Sequence, residues 1–415
     1  MRQVPLSKDN ISSFRLIAPF FIIIILDAMS FGMVTPVLAP LVTQSTNSIL
    51  GAGLSDLSRH LIYGLIQTSS FLCFMIGAPI LGYLSDRLGR RKVLIYCLCG
   101  SFLGLCAYAY SFETNNLLIL FVARIIVGFV SGNQAIAQSA IADISPQGAS
   151  KAGNIGLIAV AMTIGLVAGP FLGGVLSDPS VYSKFTNATP FYVGIVFSLF
   201  NLAILLLFLR ETNTDLNPTH KLRYFWREFS ALVSQINIRW LILTFFLFEL
   251  GWTLYFQSLA LVLVQDFDLK NKSIGLFASY VGLMLSLGLF YGVRLLVKRV
   301  TLQKIIMPSL IVGAVSLLLG FLFNNLWLQF IIAIPVTMTV AFCYAILITL
   351  ISDRTAKIQQ GLMMGTTDAF IALSFTITSL LGSWFAVYNA VIPELVAALF
   401  WLLAMGVFFK ARRKL

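Results

Sequence analysis

Apolar residues along this chain come in long unbroken runs, not in the alternation of a half-buried strand or the narrow stripe of a surface helix. About 20 mostly apolar residues are needed to cross a bilayer as a helix. Scanning for runs of that length predicts twelve spans, at 14–42, 61–83, 93–111, 117–141, 155–175 and 190–209, then 238–264, 274–297, 304–323, 326–350, 361–387 and 391–409. The first run does not read as a cleaved leader, because it is long and holds an acid, Asp27, and a proline, Pro36. Most connections are short. The exception is 210–237, polar through Glu211, Asn213, Asp215, Asn217, Pro218 and His220, then amphipathic through Leu222, Tyr224, Phe225, Phe229 and Leu232. This pattern predicts a linker carrying an interfacial helix, with six-helix bundles at 1–209 and 238–415 on either side.

The halves repeat weakly. Leu26-Asp27 and Phe248-Glu249 occupy corresponding places in the first and seventh spans, and Asp143 and Asp353 each close an even-numbered span. Repeated bundles related by an axis along the membrane normal are a transporter architecture, with the substrate site at the repeat interface near the midplane.

Composition supports this class and removes others. Hydrophobic residues make up 59% of the chain and charged residues 11%, against roughly 25% charged in a soluble domain. A soluble enzyme, a disordered scaffold and a secreted disulfide framework are excluded. The net charge of +12 does not indicate nucleic acid, because the basic residues lie in short clusters such as Arg87, Arg90, Arg91, Lys92 and Lys410, Arg412, Arg413, Lys414, whereas nucleic-acid binding needs a continuous basic face. With the N-terminus inside, 23 of the 28 Lys and Arg fall at the inner side, while Arg59, Lys184, Lys270 and Lys272 lie outside and Arg124 within a span. That asymmetry places both termini in the cytoplasm. The five cysteines all lie in apolar runs without metal-ligand spacing, and no Gly-x-x-x-x-Gly-Lys loop is present. No metal or cofactor is expected.

Charges inside spans are the first candidates for chemistry. Only Asp27, Arg124, Glu249 and Asp368 lie well within the runs, and a charge at the bilayer centre costs at least ~2.5–3.5 kcal/mol. Such groups normally face a cavity or a partner. Counted from the inner ends of their spans at 1.5 Å per residue, Asp27 lies ~20 Å deep and Arg124 ~25 Å deep, which predicts a pair across the first bundle. Glu249 and Asp368 have no evident basic partner. A carboxyl that is neutral in one conformation and ionised in another is what proton coupling requires, so these four residues are the coupling candidates. Helical spacing places Arg124, Gly128, Ser131, Ala135 and Gln138 on one small, polar stripe, and Glu249 with Thr253 and Phe256, next to Tyr255 and Gln257. With Gln67 and Gln134, they are expected to line a substrate cavity of aromatic surface and a few polar anchors.

Three motifs remain. Gly82-Tyr-Leu-Ser-Asp86-Arg87-Leu-Gly89-Arg90-Arg91-Lys92 forms a tight turn between spans two and three, in which Gly82 is expected to permit close helix contact and Asp86 to accept from Arg87 or a helix N-terminus. Gly165-Leu-Val-Ala-Gly169-Pro170-Phe-Leu-Gly173-Gly174 in span five has the small-residue spacing of close helix packing. Leu26-Asp27-Ala-Met-Ser-Phe-Gly32-Met-Val-Thr-Pro36 occupies span one, while Arg124 and Ile141-Ala-Asp143 mark the two ends of span four.

The first of these resembles the signature loop of the major facilitator superfamily at each defining position. The span-five pattern resembles the fifth-helix motif of that superfamily's antiporters. The span-one and span-four patterns are similar to those of its twelve-helix drug:proton antiporters, which include the tetracycline exporters. The resemblance is closest over residues 20–175. It departs at Gly104, where the tetracycline exporters carry an Asp, and in the lack of a membrane His in the second half.

The resemblance implies an all-α integral membrane protein of twelve transmembrane helices in two pseudo-repeat bundles, working by alternating access and not an enzyme. It implies a conformational latch at Gly82, Asp86, Arg87, Gly89, Arg90, Arg91 and Asp143, and an antiporter motif at Gly165, Gly169, Pro170, Gly173 and Gly174. The expected function is proton-coupled efflux of amphipathic small molecules by a monomer. A proton-coupled uptake carrier for a nutrient, siderophore or amino acid, and a transport-inactive receptor or assembly factor, remain open alternatives. The lack of large soluble domains and of usable outer glycosylation signals fits a bacterial inner membrane.

Overall fold

The computed structural model describes residues 8–44, 49–50, 53–144, 149–212, 236–354 and 360–412, all of them in helices or connections, with no strand among the described residues. The amphipathic piece expected at 222–232 lies outside these. The elements are α1 (Lys8–Gly32), α2 (Val34–Thr43), α3 (Asp56–Leu88), α4 (Arg90–Thr114), α5 (Leu117–Val130), α6 (Asn133–Ile144), α7 (Ala149–Leu176), α8 (Thr189–Phe208), α9 (Ile236–Gln265), α10 (Asn271–Leu287), a π-helical turn (Gly288–Gly292), α11 (Val293–Val297), α12 (Leu302–Leu322), α13 (Leu326–Ser352), α14 (Gln360–Tyr388) and α15 (Ile392–Arg412). Ten stretches are long and apolar enough to cross a membrane, and two shorter apolar helices, Leu117–Val130 and Val160–Leu176, stand where spans four and five are expected.

Helices begin and end where backbone groups find partners, so several outlast their apolar runs. Ser55 caps α3 by accepting from Ser58 N, and Asn116 and Asn325 cap α5 and α13 in the same way. The Ser55 cap starts α3 five residues before the predicted run. Arg59 and His60, expected in a loop, are instead buried in its first turns.

Two spans are broken. Span one parts at Met33, because Pro36 has no N–H to offer Gly32 and its ring crowds that carbonyl. Span four parts at Ser131-Gly132, where Ser131 N is shared between the Val127 and Gly128 carbonyls and Ser131 Oγ donates back to Val127 O at 2.7 Å.

The glycines of span five lie between two neighbours. A Cβ on Gly165 would meet Ala28 and Ile25 O on α1, one on Gly169 would stand 2.6 Å from Met29 O, and one on Gly173 would meet Met33. On the opposite side of α7, Gly174 packs against Asn271 and Gly275 of α10, and the Pro170 carbonyl faces Gly275. Here α7 holds α1 and α10 at backbone distance.

The end of the molecule that carries Asp86–Lys92 is here termed the basic end, and the opposite one the far end. Cross-half hydrogen bonds between described residues gather from the far end to mid-span. The His60 ring donates from Nδ1 to Asp56 O at 2.7 Å, so its Nε2 accepts from Gln265 Nε2 at 2.6 Å. Gln44 donates to Asp268, and Asn271 donates to Ser177 and Asn187. Deeper, Ser279 Oγ donates to Val167 O at 2.6 Å, Thr68 Oγ1 meets Ser379 Oγ at 2.6 Å, and Phe71 stacks on Phe375 with ring centroids 4.4 Å apart. The far end is closed in this conformation.

Two cysteines replacing Thr68 and Ser379, in a chain with its native cysteines removed, should therefore oxidise to a disulfide, because the two Oγ atoms, 2.6 Å apart, already lie near the S–S bond length of about 2.0 Å. Thiol counting by mass spectrometry after mild oxidation should show both thiols lost. Two free thiols would mean that this closure is not populated.

Candidate functional site

Asp27 sits on α1, six residues before the break in span one at Met33. Its carboxyl accepts from Asn133 Nδ2 at 3.0 Å and, more weakly, from Ser101 Oγ at 3.5 Å. Asn133 reaches it because α6 starts there, just after the break in span four. Asp27 keeps part of its surface accessible although it lies mid-span. A carboxyl met only by neutral donors, with one side open, can exchange a proton or receive a cationic group.

Arg124 does not pair with Asp27. It is buried, donates from Nη1 to Tyr108 Oη at 3.5 Å, lies within electrostatic reach of Tyr63, and has no partner for Nε. Tyr108 stands seven residues beyond Ser101 on α4, ~10 Å further toward the far end. Similar counts from the inner ends of two spans therefore did not bring the two side chains together, because the count assumes unbroken helices and span four is interrupted at Ser131-Gly132. Of the expected Arg124–Gly128–Ser131–Ala135–Gln138 stripe, Gly128 packs against the Ser70 backbone, as the neighbouring Gly132 does against Ala78, so at these two positions span four makes a helix contact with α3 and not a cavity wall. The side chains of Gln134, Ala135, Gln138 and Asp143 lie outside the described residues. Gln67 is buried and donates to Tyr63 Oη at 3.4 Å, on the Arg124 side.

In the second half Glu249 is 2% exposed and its Oε1 has no hydrogen-bond partner. Thr253 Oγ1 donates to Glu249 O and accepts from Thr378 Oγ1, while Gln257 Nε2 donates to Thr378 Oγ1 at 2.8 Å and Phe375 O at 3.0 Å. Thr253 and Gln257 thus tie α9 to α14. Phe256 leans on Trp252 at 5.3 Å. Asp368 on α14 is half-buried, and Tyr344 on α13 lies within electrostatic reach of both Asp368 and Glu249. The second half therefore holds two covered carboxyls in Glu249 and Asp368, and Asp27 stands in the first. Gly104, which departs from the exporter pattern, abuts Val127 on α5, where a Cβ would run into the Val127 Cγ2 methyl.

At the basic end, Asp86 pairs with Arg90 at 2.5 Å, not with the exposed Arg87, and Arg90 Nη1 also donates to Ser85 Oγ. The N-terminus of α4 is met by a residue that the sequence pattern assigned to the linker. Glu211 accepts from Arg90 N at 2.8 Å and Arg91 N at 3.2 Å, capping α4, while Arg91 Nη2 donates to Leu206 O. Gly89 makes this possible, with φ +96 and a position where any Cβ would run into the Glu211 carboxylate. A Cβ on Gly82, where close helix contact was expected, would meet nothing within 4 Å among the described residues in this conformation.

Residues 20–302 match the Major Facilitator Superfamily. The chain is 30% identical over 263 residues to the class H tetracycline resistance protein of Pasteurella multocida, a match that takes in 58% of this chain and 61% of that protein, less than two thirds of its length. It is 25% identical over 406 residues to the class E tetracycline resistance protein of Escherichia coli, covering 96% and 93% respectively. Among solved structures, the crystal structure of the human organic anion transporter MFSD10 (TETRAN) has the same fold, with a TM-score of 0.70 at 20% identity, covering 98% of this chain and all of that one.

Gly89→Ala should lower thermal stability in detergent by about 1–3 kcal/mol, because the residue adopts a backbone conformation that is open only to glycine and touches Glu211. A melting midpoint equal to that of the native protein would show that the loop relaxes without cost.

Proposed function

Because this chain belongs to the Major Facilitator Superfamily, and is thus a membrane-embedded secondary transporter of small molecules and not an enzyme, we propose that it exports amphipathic molecules in exchange for protons. The observation that carries this reading is Asp27, a mid-span carboxyl with neutral partners and one accessible side. The working arrangement has two six-span bundles, 1–209 and 238–415, joined through 210–237, in a bacterial inner membrane, and the Lys and Arg asymmetry supports placing the basic end and both termini in the cytoplasm. The closed far end supports reading the present conformation as inward-facing.

In this state Asp27 releases its proton to the cytoplasm, and the ionised carboxyl receives a substrate. Asn133 and Ser101 hold it in place in either charge state, because both are neutral donors. Glu249 and Asp368 offer a second acidic surface that favours cationic substrates, and the Phe71–Phe375 stack forms the aromatic floor between halves. After the molecule opens outward, protonation of Asp27 expels the substrate, and the neutral carboxyl permits return. Proton and substrate thus exclude one another at one group, which is what exchange requires. Arg124, held by Tyr108 away from Asp27, tunes the potential of the cavity and does not form a switchable pair. The latch at Asp86–Arg90 and Glu211 fixes the turn between spans two and three to the end of span six, so that these move together. Two features support export over uptake: the glycine-lined α7, packed against α1 and α10, and the similarity to proteins named for tetracycline resistance.

In inside-out vesicles acidified within, tetracycline or ethidium should be accumulated with release of lumenal protons. Asp27→Asn should abolish gradient-driven accumulation while retaining binding. Glu249→Gln should weaken ethidium about tenfold or more, equivalent to ~1.4 kcal/mol, and affect neutral probes less. Full gradient-driven transport by Asp27→Asn would remove the coupling role from that residue.

A further inference from the structure

Near the far end of the last six spans, away from Asp27 and Glu249, three covered polar side chains converge. Glu394 lies in the first turn of α15 and is 1% exposed, and neither carboxyl oxygen has a hydrogen-bond partner. Gln329 on α13 is fully buried beside it, without the alignment for a hydrogen bond, and both its amide atoms are unpartnered. Tyr255 on α9 is also fully buried, its hydroxyl unpartnered, within electrostatic reach of Glu394. Gly320 on α12 closes the group, since a Cβ there would run into Glu394 Oε2.

Protonation decides whether this group is satisfied. An ionised carboxylate only accepts, so it leaves Gln329 Oε1 without a donor and places an unpaired charge among covered groups, a costly state. A neutral carboxyl donates its O–H to Gln329 Oε1 and accepts from Gln329 Nε2, a reciprocal acid–amide pair that satisfies both residues. The ionisable groups that face Glu394 are Tyr255, Asp266 just past the end of α9 and, beyond Tyr255, Tyr280 of α10. Glu394 forms no ion pair among the described residues. Asp266 is exposed and accepts from Asn324 Nδ2 at 2.5 Å, so an acid within electrostatic reach of Glu394 is open to solvent at the far end.

We propose that Glu394, with Gln329 and Tyr255, is a proton-binding site loaded from the far-end solvent and separate from Asp27 and Glu249. The site stands whether or not transport is coupled to protons, since it is defined by its own carboxyl and amide.

Infrared difference spectra of the native protein minus Glu394→Gln, in lipid, test this directly. The variant keeps the shape of the side chain and removes only its ability to ionise. The expected result is a protonated-carboxyl carbonyl band at mildly acidic pH that disappears as pH rises, equally in sodium and choline chloride. Three results would overturn the proposal: no band at any pH; a band unchanged up to about pH 10, beyond the range in which a loading site would titrate; or a band removed by sodium at fixed pH, which would assign a sodium site. Should Glu394→Gln fail to fold, Gln329→Leu in the native background should shift the titration midpoint of the band by about one pH unit. An unchanged midpoint would rule out the acid–amide pair.

Discussion

A charge placed midway along a membrane helix must be met by something other than lipid, and in this chain the groups that meet it are neutral. Asp27 is held by an amide and a hydroxyl, and Arg124 by a tyrosine. A salt bridge between them would have settled both charges permanently. Keeping them apart leaves the carboxyl able to change its protonation state, and leaves the cation to set the local potential. The break in span four serves the same constraint, because it brings Asn133 to Asp27 at the point where a continuous helix would follow a different course.

The glycine contacts of α7 set how these groups can move. Span one carries Asp27 and is held against α7 through Gly165, Gly169 and Gly173, while the other side of α7 meets α10 at Gly174. Backbone-to-backbone contact of this kind allows helices to slide or tilt with little side-chain rearrangement. Apart from Gln44 donating to the exposed Asp268, closure at the far end among the described residues is made of neutral hydrogen bonds and an aromatic stack. Such contacts can open and reform without burying or exposing a net charge.

The span architecture was legible because run length alone separates a membrane helix from other elements. Helix ends were less so, since polar caps such as Ser55 extend α3 past its apolar run and bury Arg59 and His60. The meeting of particular side chains was least legible. Counting residues from span ends cannot register a broken helix, so it put Arg124 beside Asp27 and gave no reason to single out Asn133. Glu211 looked like a linker residue because its role depends on the turn at Gly89 coming close in space. Glu394 was passed over because it lies three residues inside its run, where an acid reads as interfacial; only packing against Gly320 and Gln329 shows that it is covered.

The central claim is that substrate and proton compete for Asp27. Its most direct test is the affinity of purified native protein for ethidium as a function of pH, compared with Asp27→Asn. The account predicts that native affinity rises by up to about tenfold per pH unit across the titration of that carboxyl, one proton released per substrate bound, and that the variant loses this dependence. Equal pH dependence in the two proteins would contradict it.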